Sequence, residues 1–196
     1  MAKKSFFEKN KMWIIIGILV LILVVYPIGL YNSFVSKEQT VMGEWSEVEN
    51  QYQRQSDLIP NLVNSVKGYK EFEQGLLTEI TELRSQWQTA SSSGDTYTMD
   101  QTGSEMTSAL SRLLLVYENY PDLKTIESVS SLMDELSGTQ NRIAVARGRY
   151  IDAVKNYNIG IKKFPAMIIA GMFGFEEIEY YTAEEGSMET PVVDLG

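Results

Sequence analysis

The chain has 196 residues, 44% of them hydrophobic, with 17 basic and 26 acidic residues, a length that allows one ordinary domain plus an appendage. It contains neither cysteine nor histidine. That excludes disulfides, Cys/His metal sites, thiol nucleophiles and a serine nucleophile served by imidazole, and leaves carboxylate, lysine or tyrosine chemistry, binding, or structure.

Residues 1–12 form a short stub. Up to residue 30 the chain carries four lysines (Lys3, Lys4, Lys9, Lys11) against one acid, Glu8, whereas residues 31–196 hold 13 basic against 25 acidic residues. Between them, residues 13–30 (WIIIGILVLILVVYPIGL) are uncharged, and about 20 apolar residues suffice for a spanning helix. Trp13 and Tyr26, with Leu30 closing the run, suit an anchor with aromatic residues at its interfaces. A cleaved secretory signal has a shorter apolar core and a small-residue cleavage pattern, and no Ala-x-Ala follows here. The expectation is an uncleaved single-pass anchor in a bacterial inner membrane. The lysines before the span place the N-terminus in the cytoplasm and residues 31–196 outside it. The acidic body argues against nucleic acid as a partner, because phosphate neutralisation needs a basic patch.

From Tyr31 onward, steps of three and four residues mark a seam that runs to Trp87. Fourteen of its seventeen positions are apolar, where composition alone gives about seven. If fully helical, 57 residues span about 85 Å, and a period near 3.5 predicts coiled-coil-like packing against partner helices. Pro60 lies inside the seam and predicts a kink, and Gly68 and Gly75 weaken the helix further. Residues 88–103 (QTASSSGDTYTMDQTG) are polar and Gly/Ser-rich, which predicts a loop. Ser104 is then expected to cap a short helix reaching Tyr117, with Met106, Leu110, Leu113 and Tyr117 on one face. ENYPD, 118–122, predicts a break. A second seam runs from Ile126 through Val129, Met133, Leu136, Gln140, Ile143, Arg147, Tyr150, Val154, Tyr157 and Ile161 to Phe164, where Pro165 stops it. Residues 182–196 lack periodicity and are expected to be an extended or disordered tail. Two arrangements fit these lengths: a long two-helix hairpin that needs oligomerisation to bury a core, or a compact bundle bent at Pro60 and Pro121.

The residues 31–73, YNSFVSKEQTVMGEWSEVENQYQRQSDLIPNLVNSVKGYKEFE, resemble the amino-terminal half of the bacterial LemA family. The residues 120–175, from YPDLKTIESVSSLMDELSG to FPAMIIAGMFGF, resemble its other half, and PVVDL resembles its tail. The resemblance covers 31–181 and implies an all-α protein: an antiparallel up-and-down, bromodomain-like helical bundle behind one N-terminal transmembrane helix. It implies no established catalytic activity and no cofactor. Some relatives of that family are connected with magnetosome membranes, and genes for some lie beside those for membrane metalloproteases, so a membrane metalloprotease or another envelope protein is an expected partner. Gln55, Gln140 and Ile151 stand where the family usually has arginine, glutamate and asparagine.

The polar residues that carry possible chemistry are Arg54, Gln55, Asp57 and Asn61 around Pro60, and Gln140, Asn141, Arg142 and Arg147 in the second seam. Gln55 and Arg147 fall on core positions. A buried arginine needs an acceptor, for which Glu38, Glu73 and Asp57 are candidates. One reading is a polar layer that sets helix register; the other is a pocket for a small anion. Glu71, Glu73, Glu79 and Glu82 read as a solvated helix face. Glu176, Glu177, Glu179, Glu184 and Glu185 lack a calcium-loop pattern and read as a solvated chain end, so no metal is expected. Residues 164–175, FPAMIIAGMFGF, are too few to span a bilayer. They read as a core helix or as an interfacial or oligomer segment carried by Phe164, Pro165, Phe173 and Phe175. The function these features predict is a membrane-anchored scaffold of the envelope that self-associates, with a protease adaptor or a small-ligand-binding bundle as alternatives.

Overall fold

The computed structural model describes residues 6–67 and 73–180. Among them are six helices and no strand: α1 (Phe6–Val66), α2 (Gln74–Ser93), α3 (Thr96–Tyr117), α4 (Pro121–Lys124), α5 (Glu127–Lys162) and α6 (Ala166–Phe173). Gly68, Tyr69, Glu71, Glu184, Glu185 and the predicted tail 182–196 lie outside the described residues, as do residues 1–5 of the stub. The contacts divide the chain into two compact units, and α1 and α5 contribute to both. The anchor unit takes in the described residues up to Met42 together with Asp152–Tyr180, and the bundle unit those from Gly43 to Ile151.

In the bundle unit, four helical segments run up and down in turn. Arg84 of α2 meets α1 at Ser56, and Arg112 of α3 pairs with Glu79 of α2. The return of α5 places Tyr150 against Trp45, Arg147 against Ser104 and Gln140 against Thr107. The seam residues fill the interior: Val48, Tyr52, Ile59, Leu62, Ile80, Trp87, Met106, Leu110, Leu113, Val129 and Leu136 are buried. Each large apolar side chain removed from water contributes about 1.5–3 kcal/mol.

The predicted loop at 88–103 is a correction. Helix continues to Ser93 and resumes at Thr96, with a turn of two residues between. Gly94 adopts φ 71° and donates its N–H to the Ser91 carbonyl, a left-handed cap that glycine takes without Cβ strain. Asp95 caps α3 by accepting from the Thr98 backbone N–H at 3.1 Å and the Thr98 hydroxyl at 2.6 Å. Those bonds hold its carboxyl below the usual aspartate value, so Asp95, and not Ser104, is the cap. The serines and threonines that resemble a loop are accommodated in helix with their hydroxyls bonded back to carbonyls, Thr89 to Ser85 and Ser92 to Gln88.

The first seam is likewise two helices. α1 passes through Pro60 without interruption and ends at Val66, and α2 starts at Gln74. Pro60 has no N–H to offer the Ser56 carbonyl. Arg84 supplies the missing donor, its Nε lying 2.9 Å from that oxygen. The break at 118–122 matches the one-turn α4, whose first residue is Pro121. α5 ends at Lys162, before Pro165.

In the anchor unit, α1 carries the stretch long and apolar enough to cross a membrane. Trp13 is 71% exposed, Tyr26 is exposed and Leu30 half-buried. Beyond the span, Phe34 and Val41 of α1 and Val154, Tyr157 and Ile161 of α5 are buried. The Lys37 ammonium donates to the Asn156 carbonyl at 3.4 Å. After α6 the chain is clipped to α5. Asn158 both donates to the Ile178 carbonyl (2.7 Å) and accepts its N–H (3.0 Å), the Tyr157 hydroxyl donates to the Glu176 carbonyl (3.0 Å), and Lys162 pairs with Glu177 (2.6 Å).

Candidate functional site

The most concentrated polar chemistry lies inside the bundle unit, between α1, α3 and α5. Arg147 enters from α5 with its side chain 28% exposed and meets Asp100 of α3, whose side chain is 8% exposed. One guanidinium nitrogen donates to Asp100 Oδ2 at 3.0 Å; the other donates to the Ser104 hydroxyl and, at 3.3 Å, to the Tyr52 hydroxyl. The Tyr52 hydroxyl in turn donates to Asp100 Oδ1 at 3.4 Å. Burial, with Asp100 beside it, pushes the Tyr52 phenol up to about 12. Burial also raises Asp100 above the usual aspartate value, against the opposing pull of Arg147 and of the Tyr52 bond.

Tyr52 reaches this network because α3 has no side chain in its way. A Cβ on Gly103 would lie 2.7 Å from the Tyr52 ring. The glycine therefore allows the ring to pack directly on the α3 backbone.

A second polar layer lies next along α3. The Thr107 hydroxyl donates to Gln55 Oε1 at 3.0 Å, and Gln140 Nε2 donates to the Thr107 carbonyl at 3.2 Å. Gln55 is fully buried, and its Nε2 has no protein partner, as is also true of the Ser56 hydroxyl and the Trp87 indole N–H.

Of the residues singled out by sequence, the structure brings Gln55, Gln140 and Arg147 into these layers. The others face outward. Arg54 pairs with Glu135 at 2.7 Å on the surface, Asp57 accepts from Gln53, Arg142 donates to Thr139, and Asn61 and Asn141 are exposed. An exposed pair such as Arg54–Glu135 contributes about 0–1 kcal/mol. The acceptor for Arg147 is Asp100, and this corrects the expectation of Glu38, Glu73 or Asp57. Glu73 is exposed, and Glu38 is placed near Tyr157, where, after burial, it helps raise that phenol.

Asp100 and Gly103 fall in the predicted loop, Ser104 is read only as a helix cap, and Thr107 lies in the short helix but off the apolar face that marks it. Their spacing of three, four and seven residues puts them on one helix face. With Asp95 taken as the cap, that spacing is the signal that finds them.

The remaining segment lies in the anchor unit. Phe164 is 79% exposed, Pro165 precedes α6, and Phe173 and Phe175 both meet Tyr31 edge-on, at 5.0 and 5.6 Å between ring centroids. Phe175 also meets Phe34 at 5.3 Å.

Chemically, the network is turned inward. Both terminal nitrogens of Arg147 and both oxygens of Asp100 are taken up by neighbouring side chains. Comparison with known proteins agrees with a helical, membrane-related chain. The model of the LemA family matches residues 44–195. Magnetosome protein MamQ 2 of Paramagnetospirillum magneticum is 26% identical over 186 residues, covering 83% of this chain and 68% of its own. Magnetosome protein MamQ of Magnetospirillum gryphiswaldense is 25% identical with the same coverage. Protein LemA of Metamycoplasma hominis is 23% identical over 169 residues, covering 82% of this chain and 76% of its own.

Proposed function

The chain belongs to the LemA family, and on that premise we propose that it is a membrane-anchored, non-enzymatic scaffold whose helical bundle self-associates and presents surfaces to other envelope proteins. Its membrane association rests on the apolar stretch of α1 and on relatives named as magnetosome proteins. In this reading the span crosses the bacterial inner membrane once, with the N-terminus in the cytoplasm, following the lysines ahead of it.

The observation that carries the scaffold reading is the inward-turned network at Arg147. Its guanidinium is engaged by Asp100, Ser104 and Tyr52, so in this reading the charge pair between the helices serves their arrangement and is not held ready for a ligand. The surfaces then remain as the means of action. Among them is a shallow groove between α2 and α3, lined by Glu82, Glu105 and the Glu79–Arg112 pair. A membrane metalloprotease is one partner class this reading admits.

The test is size determination of the full chain in mild detergent, with mass spectrometry of what co-purifies. The expected result is an assembly well above the 22.2 kDa of one chain. A lone monomer with no companion overturns the scaffold reading. A ligand-induced thermal shift that vanishes in Arg147→Ala favours the small-ligand reading in its place.

A further inference from the structure

α6 is built the wrong way round for a helix in water. Its two buried residues are the small ones, Ala166 and Ala170, while Met167, Ile168, Met172 and Phe173 are all more than half exposed. Phe164, immediately before it, is 79% exposed. Helices on an aqueous surface put large apolar side chains inward and polar ones outward. From Phe164 to Phe175 there is no charged residue and no polar side chain, and the nearest charges upstream are Lys162 and Lys163. A contiguous apolar face of this kind marks an interaction surface.

The same unit shows what covers it. The apolar span of α1 closes at Leu30, and the next residue, Tyr31, packs its ring edge-on against Phe173 and Phe175. The C-terminal end of α6 is therefore fixed where the span leaves the hydrocarbon. The chain beyond cannot carry it away, because Asn158 holds Ile178 by two hydrogen bonds, Tyr157 holds Glu176 and Lys162 pairs with Glu177. The polar headgroup layer is about 5–8 Å deep on each side of a bilayer, and a helix with its side chains is about 10 Å across. A helix pinned at Tyr31 thus meets that layer. Eight residues are too few to cross, so the helix lies in the interface. Lys163, exposed at its entrance, suits the phosphates there.

We propose that α6 and Phe164 form a monotopic membrane-interface element, with Phe164, Met167, Ile168, Met172 and Phe173 inserted at the headgroup–acyl boundary of the leaflet from which α1 emerges. The protein then holds its membrane at two places, one spanning and one lying flat. The second contact limits how far α1 can tilt. This rests on the membrane anchoring in the reading above and is independent of self-association.

The chain lacks cysteine, so single cysteine substitutions accept one label each. Met172→Cys and, separately, Ile168→Cys are labelled with an environment-sensitive fluorophore in the full chain, reconstituted in phosphatidylcholine–phosphatidylglycerol vesicles. Leu23→Cys in the span and Tyr97→Cys, exposed in the bundle unit, are the lipid and water references. The expected result at 172 and 168 is a blue-shifted emission, strong quenching by lipids labelled near the headgroup, and several-fold less quenching by an aqueous agent than at 97. Water-like quenching at both positions, with Leu23→Cys still quenched by lipid, overturns the proposal and leaves the anchor standing. Protection from both quenchers, with label–label coupling that grows with protein density, overturns it in favour of a second copy on this face. Absence of lipid quenching at 23 overturns the anchor, and this proposal with it.

Discussion

In the bundle unit the buried polar groups include a charge, Asp100, paired with the half-buried Arg147, and in the anchor unit the buried polar group is an amide, Asn158. Arg147 is shared among side chains from two other helices, Tyr52 of α1 and Asp100 and Ser104 of α3. Asn158 turns instead to the backbone of the segment after α6. The contrast follows from what surrounds each group. Where α1, α3 and α5 meet, a guanidinium finds several oriented acceptors from neighbouring side chains, and this is the condition under which a charge pair inside a bundle is tolerated. Asn158 is equally enclosed but meets backbone. The anchor unit seals its interior with aromatic edges, Tyr31, Phe34, Phe173 and Phe175, and with a neutral amide that satisfies a passing strand of backbone. One unit spends its polar residues on register, the other on holding a chain segment in place.

The largest test of this contrast is Arg147→Leu. It leaves the Asp100 carboxylate buried without its counter-charge, and unfolding of the full chain in detergent should show a loss of about 3 kcal/mol. Unchanged melting temperature and oligomeric state in that variant would rule out the register role. The pH dependence should move with it. Asp100 is raised in the fold, chiefly by burial, so its contribution favours folding below the usual aspartate range and is lost as pH rises through the raised value. Removing Arg147 raises Asp100 further and enlarges that loss, whereas Asp100→Asn abolishes it. Melting temperatures of the three proteins from acid to neutral pH separate these outcomes.

Gly103→Ala comes next. The added Cβ meets the buried Tyr52 ring, and overpacking of this kind costs about 1–3 kcal/mol, partly offset by the roughly 1 kcal/mol that alanine contributes to helix propensity. A net loss by denaturant unfolding is expected, together with weaker pairing of Tyr52, read as a phenol that titrates closer to its ordinary value.

The repair of Pro60 gives a smaller and more selective effect. Arg84→Met leaves the Ser56 carbonyl without a donor and should cost about 1–2 kcal/mol. In a Pro60→Ala background the helix supplies its own N–H, so the same substitution should cost measurably less. Equal costs in both backgrounds would show that Arg84 acts in some other way.

Asn158→Ala, the counterpart in the anchor unit, should cost about 1 kcal/mol. Its effect should concentrate locally, as faster hydrogen exchange at Ile178 with little change around Arg147. A uniform loss of protection across both units would erase the distinction drawn between them.

Most of the core is readable in the sequence. The positions stepped out from Phe34 to Trp87 and from Val129 to Ile161 are largely the buried ones, because helices packed around a common interior bury one stripe of each. Gln55 and Arg147 were recognised as polar residues on core positions for the same reason. The breaks were less readable. The periodicity passed from α1 to α2 without losing phase, so it masked a reversal. Gly and Ser in 88–103 resemble a loop, although Ser and Thr are accommodated in helix here with their hydroxyls bonded to preceding carbonyls. With α3 misplaced, Asp100 had no helix to stand on, and Arg147 was assigned the wrong acceptors.

By itself, then, the sequence determined an anchor of uncharged residues, an acidic helical body and the stripes that face inward. Those follow from local composition and from a period of 3.6 residues, which short-range chemistry sets. Only the tertiary structure decided that Asp100 answers Arg147, that Arg84 supplies the donor Pro60 lacks, and that Gly103 makes room for Tyr52. Each of these joins residues on different helices, and which helices meet is settled by where the chain reverses, which periodicity does not register.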